Sequence, residues 1–455
     1  MKAHFIAIGG SVMHQLAIAL LQKGYEITGS DDEIFEPARS NLQKAGILPP
    51  QEGWFREKIN GRLDAVILGM HAKADNPELI RAKELNLPVY SFPEYIYEVS
   101  KNKKRVVVGG SHGKTTTTSM IMHVLKQAGK QFDYLVGAKL EGFDHSVSIT
   151  NAPLIICEGD EYPASVLEKR PKFHFLYPHV AILTGIAWDH INVFPTFDMY
   201  LQQFRIFIDK IEPGGCLIYN ETDEVLKKLV EEHPSKVERI PYDVPVHDIK
   251  GGKTIVLLEE EEGELKVFGN HNLLNLHAAY LACKQLGIDA QTFLRAIANF
   301  TGASKRLELL AHSDSTNVYR DFAHAPSKVK ATMDAVKQQF PERKLIAALE
   351  LHTFSSLNEK FMNEYKGAMD AADSAAVFYS QHALELKRLP NLPKESVIKG
   401  FGKENLQVFN NKEELENWLV SQSYDDANLL LMSSGNYDGV DVTTFAHQIT
   451  NTNRT

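Results

Sequence analysis

The residues best suited to chemistry are Gly109-Gly110-Ser111-His112-Gly113-Lys114-Thr115, preceded by Arg105-Val106-Val107-Val108 and followed by Thr116-Thr117-Thr118. Small residues let backbone N–H groups close on phosphate oxygens, and a helix beginning here turns its positive end toward them. In that arrangement Lys114 reaches the β and γ oxygens of a nucleoside triphosphate, and the Thr115 hydroxyl coordinates Mg²⁺. Val108 stands where a strict phosphate-binding loop has its first Gly. The strand-turn-helix setting therefore supports the reading together with the spacing.

Three further clusters could join this loop. Cys157-Glu158-Gly159-Asp160-Glu161 follows an apolar run and puts three carboxylates where open α/β sheets bind ligands. One of them, with Thr115 and phosphate oxygens, would satisfy Mg²⁺; an acidic helix start needing no metal is the bland alternative. Trp188-Asp189-His190 follows Val180-Ala181-Ile182-Leu183, and its His could bind a second metal or orient a substrate, or be an ordinary loop residue. In Gly269-Asn270-His271-Asn272-Leu273-Leu274-Asn275 the residues Asn272 and Asn275 share a helical face and could hydrogen-bond a purine edge, although Asn also caps helices.

These groups need scaffolding, and the chain supplies an alternating pattern. A strand at 3–8, a turn at Gly9-Gly10-Ser11, a helix at 12–23 and a strand at 25–31 ending at Asp31 make a βαβ beginning. A second cycle, a strand at 65–68, a helix at 78–85 and a strand at 89–90, extends it to about residue 100. The basic stretch Lys101 to Arg105 reads as a linker. A long α/β segment then runs to Gly302, with Glu259-Glu260-Glu261-Glu262-Gly263 as a hairpin tip. After Gly302 the pattern restarts: strands near 318, 345–349, 375–379 and 429–432, and helices at 327–339, 358–371 and 412–421. The expected fold is α/β in three domains: 1–103 Rossmann-like, 104–302 a central P-loop ATPase domain, and 303–455 Rossmann-like.

Composition agrees. A chain of 455 residues is too long for one core and suggests about three domains of ~100–200 residues. A net charge of −9 disfavours a nucleic-acid-gripping protein, whose affinity depends on clustered Lys and Arg. Cys157, Cys216 and Cys283 are scattered, without CxxC spacing, which fits a reducing cytosol rather than a disulfide or zinc scaffold. The start of the chain reads as a first strand, not a secretory signal, and no apolar run approaches the ~18 residues of a membrane span.

Taken together, Gly109 to Thr117, Glu158-Gly159-Asp160-Glu161, Asp189-His190, His271 to Asn275, Lys305-Arg306-Leu307-Glu308 and Asp321-Phe322-Ala323-His324 occur in an order that resembles the Mur ligases, ATP-dependent amide-forming enzymes of peptidoglycan synthesis. The resemblance spans almost the whole chain. It implies that Gly110, Ser111, His112, Gly113, Lys114, Thr115 and Thr116 cradle the ATP phosphates, with Thr115 and Glu158 serving one Mg²⁺ and His190 a second. It implies Asn272 and Asn275 at the adenine, Arg306 at a phosphate, and Asp321 at the ribose with His324 beside the nucleotide. Lys114, Glu158, His190 and Arg306 would be the catalytic group. Gly10, Ser11, Ser30, Asp31, His71 and His352 would meet the substrates.

The resemblance also implies a domain for a UDP-sugar, one for ATP and one for the incoming amine, in a bacterial cytoplasmic enzyme that is a monomer or weak homodimer. Gly9-Gly10 with Thr28 to Asp31 is similar to the branch that starts from UDP-N-acetylmuramate. Leu167-Glu168-Lys169-Arg170-Pro171-Lys172-Phe173 and Met432-Ser433-Ser434-Gly435 are closer to members adding a recycled tripeptide, L-Ala-γ-D-Glu-meso-diaminopimelate, than to those adding L-alanine. The expected amine is the tripeptide, with L-alanine as the alternative. Departures from the family pattern are Arg320, Ala325, the lack of an Arg in Leu351 to Ser355, and Val12 and Gln15 where Gly is usual. Folylpolyglutamate synthetase, of the same superfamily, lacks the N-terminal βαβ domain. A protein using ATP only as a binding switch is the reading of a different class.

Overall fold

The computed structural model describes residues 1–137, 140, 142–188, 193–302 and 306–452. Asp189, His190 and Lys305 lie outside the described residues. Packing divides the chain into two compact units, Met1–Asp243 with Leu274–Ile297, and Val244–Leu273 with Ala298–Thr455.

The first unit holds two sheets. The smaller is fully parallel in the order Glu26–Ser30, Lys2–Ile6, Ala65–Leu68, Val89–Ser91. Its central strand Ala65–Leu68 is apolar and buried throughout, as a strand covered on both faces must be. The helix Pro77–Glu84 starts at Asn76, whose side chain accepts from the N–H groups of Glu78 and Leu79, with Pro77 preset for the first turn. The larger sheet runs Glu238–Tyr242, Cys216–Asn220, Val180–Leu183, Lys104–Gly109, Leu154–Glu158, Asp133–Leu135, Val147–Ser148, antiparallel only at its last pair. Phe5, Leu16 and Leu20 belong to the same buried cluster as Val107, Phe173, Phe204 and Leu217.

The basic stretch between the sheets is not a loose tether. Arg105 is buried, and its guanidinium donates to the carbonyls of Ser100, Lys101 and Lys103, to those of Leu176 and Tyr177, and to Glu212 Oε1 at 2.5 Å. A planar fork of five donors is the one side chain that can answer so many acceptors. It caps the end of the helix Phe92–Ser100, where carbonyls lack helical partners, and lies 5.2 Å from the Tyr97 ring. Beside it Lys103 donates to Asp133 and to the carbonyls of Thr150 and Ala152.

The second unit is built on a sheet ordered Glu308–His312, Thr316–Asp321, Ala427–Met432, Lys344–Glu350, Ser374–Phe378, Gln407–Phe409, parallel except for the first pair. The acidic hairpin forms as expected, between Lys253–Leu258 and Glu261–Leu265, with Glu259 in the left-handed region at its tip. Its small antiparallel sheet docks on the helix Pro326–Gln339: Thr254 donates to Gln339 Oε1, and Gln339 Nε2 donates to the Gly252 carbonyl. Segment 244–273 therefore packs with the C-terminal sheet. The α-helix expected at 358–371 is instead a 3₁₀ helix, Glu359–Tyr365. Asn358 caps its start and Gly367, at φ 75°, breaks the chain direction after it. Met362 is pressed so closely by Gly400 that a side chain there would lie 2.8 Å from its backbone.

Candidate active site

Gly109 ends the central strand of the larger sheet, and the helix Lys114–Gln127 begins five residues on. Gly110 and Gly113 both have positive φ, 120° and 82°. A Cβ at Gly110 would lie 2.3 Å from Thr184 Oγ1, and one at Gly113 would lie 2.3 Å from Asn275 Oδ1. Both positions thus need glycine for conformation and for space. Thr184 donates to the His112 carbonyl, while Ser111 is fixed by N–H donation to Gly185 O and by a 2.9 Å contact with the Tyr200 hydroxyl.

Lys114 Nζ donates to Gly110 O at 2.6 Å and to Glu161 Oε2 at 2.8 Å. Burial alone would lower its affinity for a proton, but Glu161, with Asp160 and Glu158, outweighs that and holds it above the ordinary lysine range. The ammonium is therefore charged. Next to it, Thr115 Oγ1 donates to Glu158 Oε1 at 2.8 Å, and Glu158 Oε2 accepts from Gly137 N at 2.9 Å. A hydroxyl and a carboxylate side by side are the hard oxygen donors that Mg²⁺ prefers. Among the described residues no group of three His, Cys, Asp or Glu side chains gathers as a metal site.

The remaining expected residues fall as follows. Thr116 is buried in the first turn of the loop's helix. Asn275 accepts from Thr117 Oγ1 at 3.3 Å against the loop. Asn272 belongs to the second unit, is buried, and donates to Phe268 O at 2.9 Å. In that unit Arg306 stacks on Phe322 at 4.8 Å, and Asp321 accepts from Leu307 N at 2.5 Å and Ala323 N at 2.6 Å. Burial pushes the Asp321 carboxyl up to about 6 against the pull of Arg306 and these donors. His324 Nδ1 lies 2.9 Å from Phe322 O.

Gly10, Ser11, Ser30, Asp31 and His71 gather at the carboxyl ends of three neighbouring strands of the smaller sheet. Ser11 and His71 are exposed, whereas Ser30 and Asp31 are buried. Asp31 accepts from Gly9 N at 2.6 Å, and burial, with Asp32 nearby, raises it to about 6. Ser30 Oγ takes a 3.0 Å hydrogen bond from Lys58, a cation that no sequence pattern singled out. Glu161, Thr184 and Tyr200 were also missed as loop partners. The only signal for them was position: Glu161 and Thr184 follow buried strands on either side of the loop.

A glycine-shaped loop at a helix start, a charged lysine and a hydroxyl–carboxylate pair, on a parallel α/β scaffold, make a site suited to a nucleoside triphosphate. Family models describe the chain in three consecutive pieces: Mur ligase family, catalytic domain, over residues 2–104; Mur ligase middle domain over 108–283; and Mur ligase, glutamate ligase domain, over 305–435. A UDP-N-acetylmuramate–L-alanine ligase of Sulfurihydrogenibium sp. (strain YO3AOP1) is 30% identical over 430 residues, 92% of this chain and 91% of that one. The chain belongs to the Mur ligase family, the ATP-dependent ligases of peptidoglycan synthesis. Among solved structures, the UDP-N-acetylmuramate-alanine ligase of Thermotoga maritima matches with a TM-score of 0.67 at 23% identity, covering 100% of this chain and 99% of that one. The UDP-N-acetylmuramate:L-alanyl-gamma-D-glutamyl-meso-diaminopimelate ligase from Neisseria meningitides matches with a TM-score of 0.59 at 27% identity, covering 66% of this chain and 98% of that one. No helix among the described residues is long and apolar enough to cross a membrane.

Proposed function

We propose that this ligase joins the lactyl carboxylate of UDP-N-acetylmuramate to an amine, using ATP to make an acyl phosphate and releasing ADP and phosphate. The observation that carries this is the Thr115–Glu158 pair set beside Lys114 at the start of the loop's helix. Segments 1–103, 104–302 and 303–455 take the UDP-sugar, the ATP and the amine in turn, in a bacterial cytoplasmic monomer or weak homodimer.

An anionic carboxylate must approach an anionic triphosphate, so charge has to be neutralised. Lys114 and the loop N–H groups bind the phosphates of ATP. Glu158 and Thr115 hold Mg²⁺, with His190 serving a second ion; these ions supply charge neutralisation when bound. Arg306, Asp321, His324, Asn272 and Asn275 complete the nucleotide contacts, while Gly10, Ser11, Ser30, Asp31 and His71 take the UDP-sugar and His352 the amine substrate.

L-Alanine is the amine named for relatives that match across most of the chain, and this reading adopts it. The tripeptide is the second reading. It is favoured by the resemblance of Leu167 to Phe173 to the tripeptide-adding members, in a segment closed by Ala164 N donating to Arg170 O at 2.9 Å and by Lys172 pairing with Asp160 at 2.8 Å. The likeness to the Neisseria ligase favours it as well.

The test supplies ATP, Mg²⁺ and UDP-N-acetylmuramate with L-alanine, a dipeptide or the tripeptide, and compares kcat/KM. Fastest turnover with L-alanine supports the first reading, and fastest turnover with the tripeptide replaces it by the second. Phosphate release that ignores the UDP-sugar sinks both and leaves the ATP-switched binding protein.

A further inference from the structure

Strands Lys344–Glu350 and Ala427–Met432 are parallel neighbours, with Leu349 opposite Met432. Glu350 and the turn Ser433-Ser434-Gly435 therefore emerge side by side at the carboxyl edge of the sheet, where open α/β sheets take ligands. Glu350 is only 1% exposed, so its carboxylate needs donors. Its Oε2 accepts from the Ser433 hydroxyl and from Tyr437 N at 2.8 Å. Its Oε1 lies 3.6 Å from His352 Nδ1, within ion-pair range, while the His352 side chain is 36% exposed. The imidazole thus has a buried carboxylate behind it and a face toward solvent.

Two details mark this spot as more than a turn pin. Among the described residues, His352 Nδ1 and Ser434 Oγ are buried without a hydrogen-bond partner, a condition native structures seldom leave unused. Gly435 is pressed against both members of the pair: a Cβ there would lie 2.8 Å from Glu350 Oε2 and 2.8 Å from His352 Nδ1.

We infer that His352 is the base that takes the proton from the attacking amine and that Glu350 is the residue that positions it. The inference rests on the ligase reading above. The amine nitrogen uses its lone pair to form the C–N bond to the acyl phosphate. The C–O bond to phosphorus breaks, phosphate leaves with that electron pair, and an N–H proton of the amine passes to His352 Nε2. A carboxylate facing Nδ1 keeps the proton of neutral imidazole on that nitrogen, leaving Nε2 free to accept. Glu350 also stabilises the imidazolium that results.

The experiment uses the full chain with ATP, UDP-N-acetylmuramate and either the amine or hydroxylamine. Hydroxylamine nitrogen is largely unprotonated at neutral pH and traps acyl phosphates as hydroxamates without help from a base. His352→Gln should lower kcat for the amine about 100-fold, the scale of general-base catalysis, while KM for ATP and the rate of hydroxamate formation stay within about twofold. Glu350→Gln, which keeps an acceptor for Ser433 and Tyr437, should lower kcat for the amine about 10-fold with the same hydroxamate rate. Amine and hydroxylamine rates falling together, or undiminished amine ligation in His352→Gln, would overturn the assignment. A Glu350→Gln variant that melts lower but turns over normally would overturn the positioning role. No hydroxamate from the wild-type enzyme would instead overturn the ligase reading on which the assignment rests.

Discussion

Lys114 and Glu161 form a 2.8 Å ion pair whose carboxylate is fully buried. A buried pair of this kind stabilises less than its geometry suggests, but breaking it from one side strands the other charge. Lys114→Met should therefore abolish UDP-sugar-dependent phosphate release and also lower stability by about 3 kcal/mol. Adding Glu161→Gln should recover most of the stability and none of the turnover. Denaturant melts and phosphate release, measured on both variants, separate the two effects; a double variant as unstable as the single one would contradict them.

Gly113 makes a second demand on the loop. Gly113→Ala places a methyl group against Asn275 in a left-handed conformation, a strain of about 1–3 kcal/mol. KM for ATP should rise at least about 10-fold, the factor that ~1.4 kcal/mol commands. Asn275→Ala in the same chain should relieve the clash but not the backbone strain, so only partial recovery of KM is expected.

Glu158→Gln keeps the shape of the pair with Thr115 and removes its charge. The Mg²⁺ concentration for half-maximal activity should increase about 10- to 100-fold, whereas melting in the absence of metal should change little. Chelation should stop wild-type turnover, and added Mg²⁺ should restore it. An unchanged Mg²⁺ requirement would remove Glu158 from the metal site.

Asp321 gives a pH signature. Burial raises its carboxyl to about 6, so the folded state holds a proton that the unfolded chain gives up near pH 4. Its favourable contribution is complete below the unfolded value and is lost as pH rises through about 6. The loss is on the order of 3 kcal/mol. Asp321→Asn, which cannot ionise, should gain stability relative to wild type as pH rises from about 4 to 7. Chemical denaturation of both proteins at the two pH values checks this; parallel curves would refute it.

Much of the architecture was legible because its signals are local. The βαβ opening, the glycine loop and the acidic hairpin each declare themselves within one continuous stretch of chain. What could not be read depends on neighbours distant in sequence. Glu161 looked like one of three equivalent carboxylates until the fold placed it on Lys114. Tyr200, in a helix that was not anticipated, proved to be a partner of Ser111. Residues 358–371 carry helical periodicity, yet the close approach of Gly400 to Met362 and the turn at Gly367 give a short 3₁₀ helix. The hairpin was foreseen, but its attachment to Gln339 was not.

Arg105 sets a limit on how this protein can be recombined. It stands just past the seam that the sequence marks between the first two segments, yet it grips carbonyls from both sides of that seam. A chimera that grafts a foreign first segment at residue 103 would inherit the arginine without the Ser100 and Lys101 carbonyls shaped to receive it. The exchangeable cassette is therefore the whole of the first two sheets, and a functional transplant has to move them together.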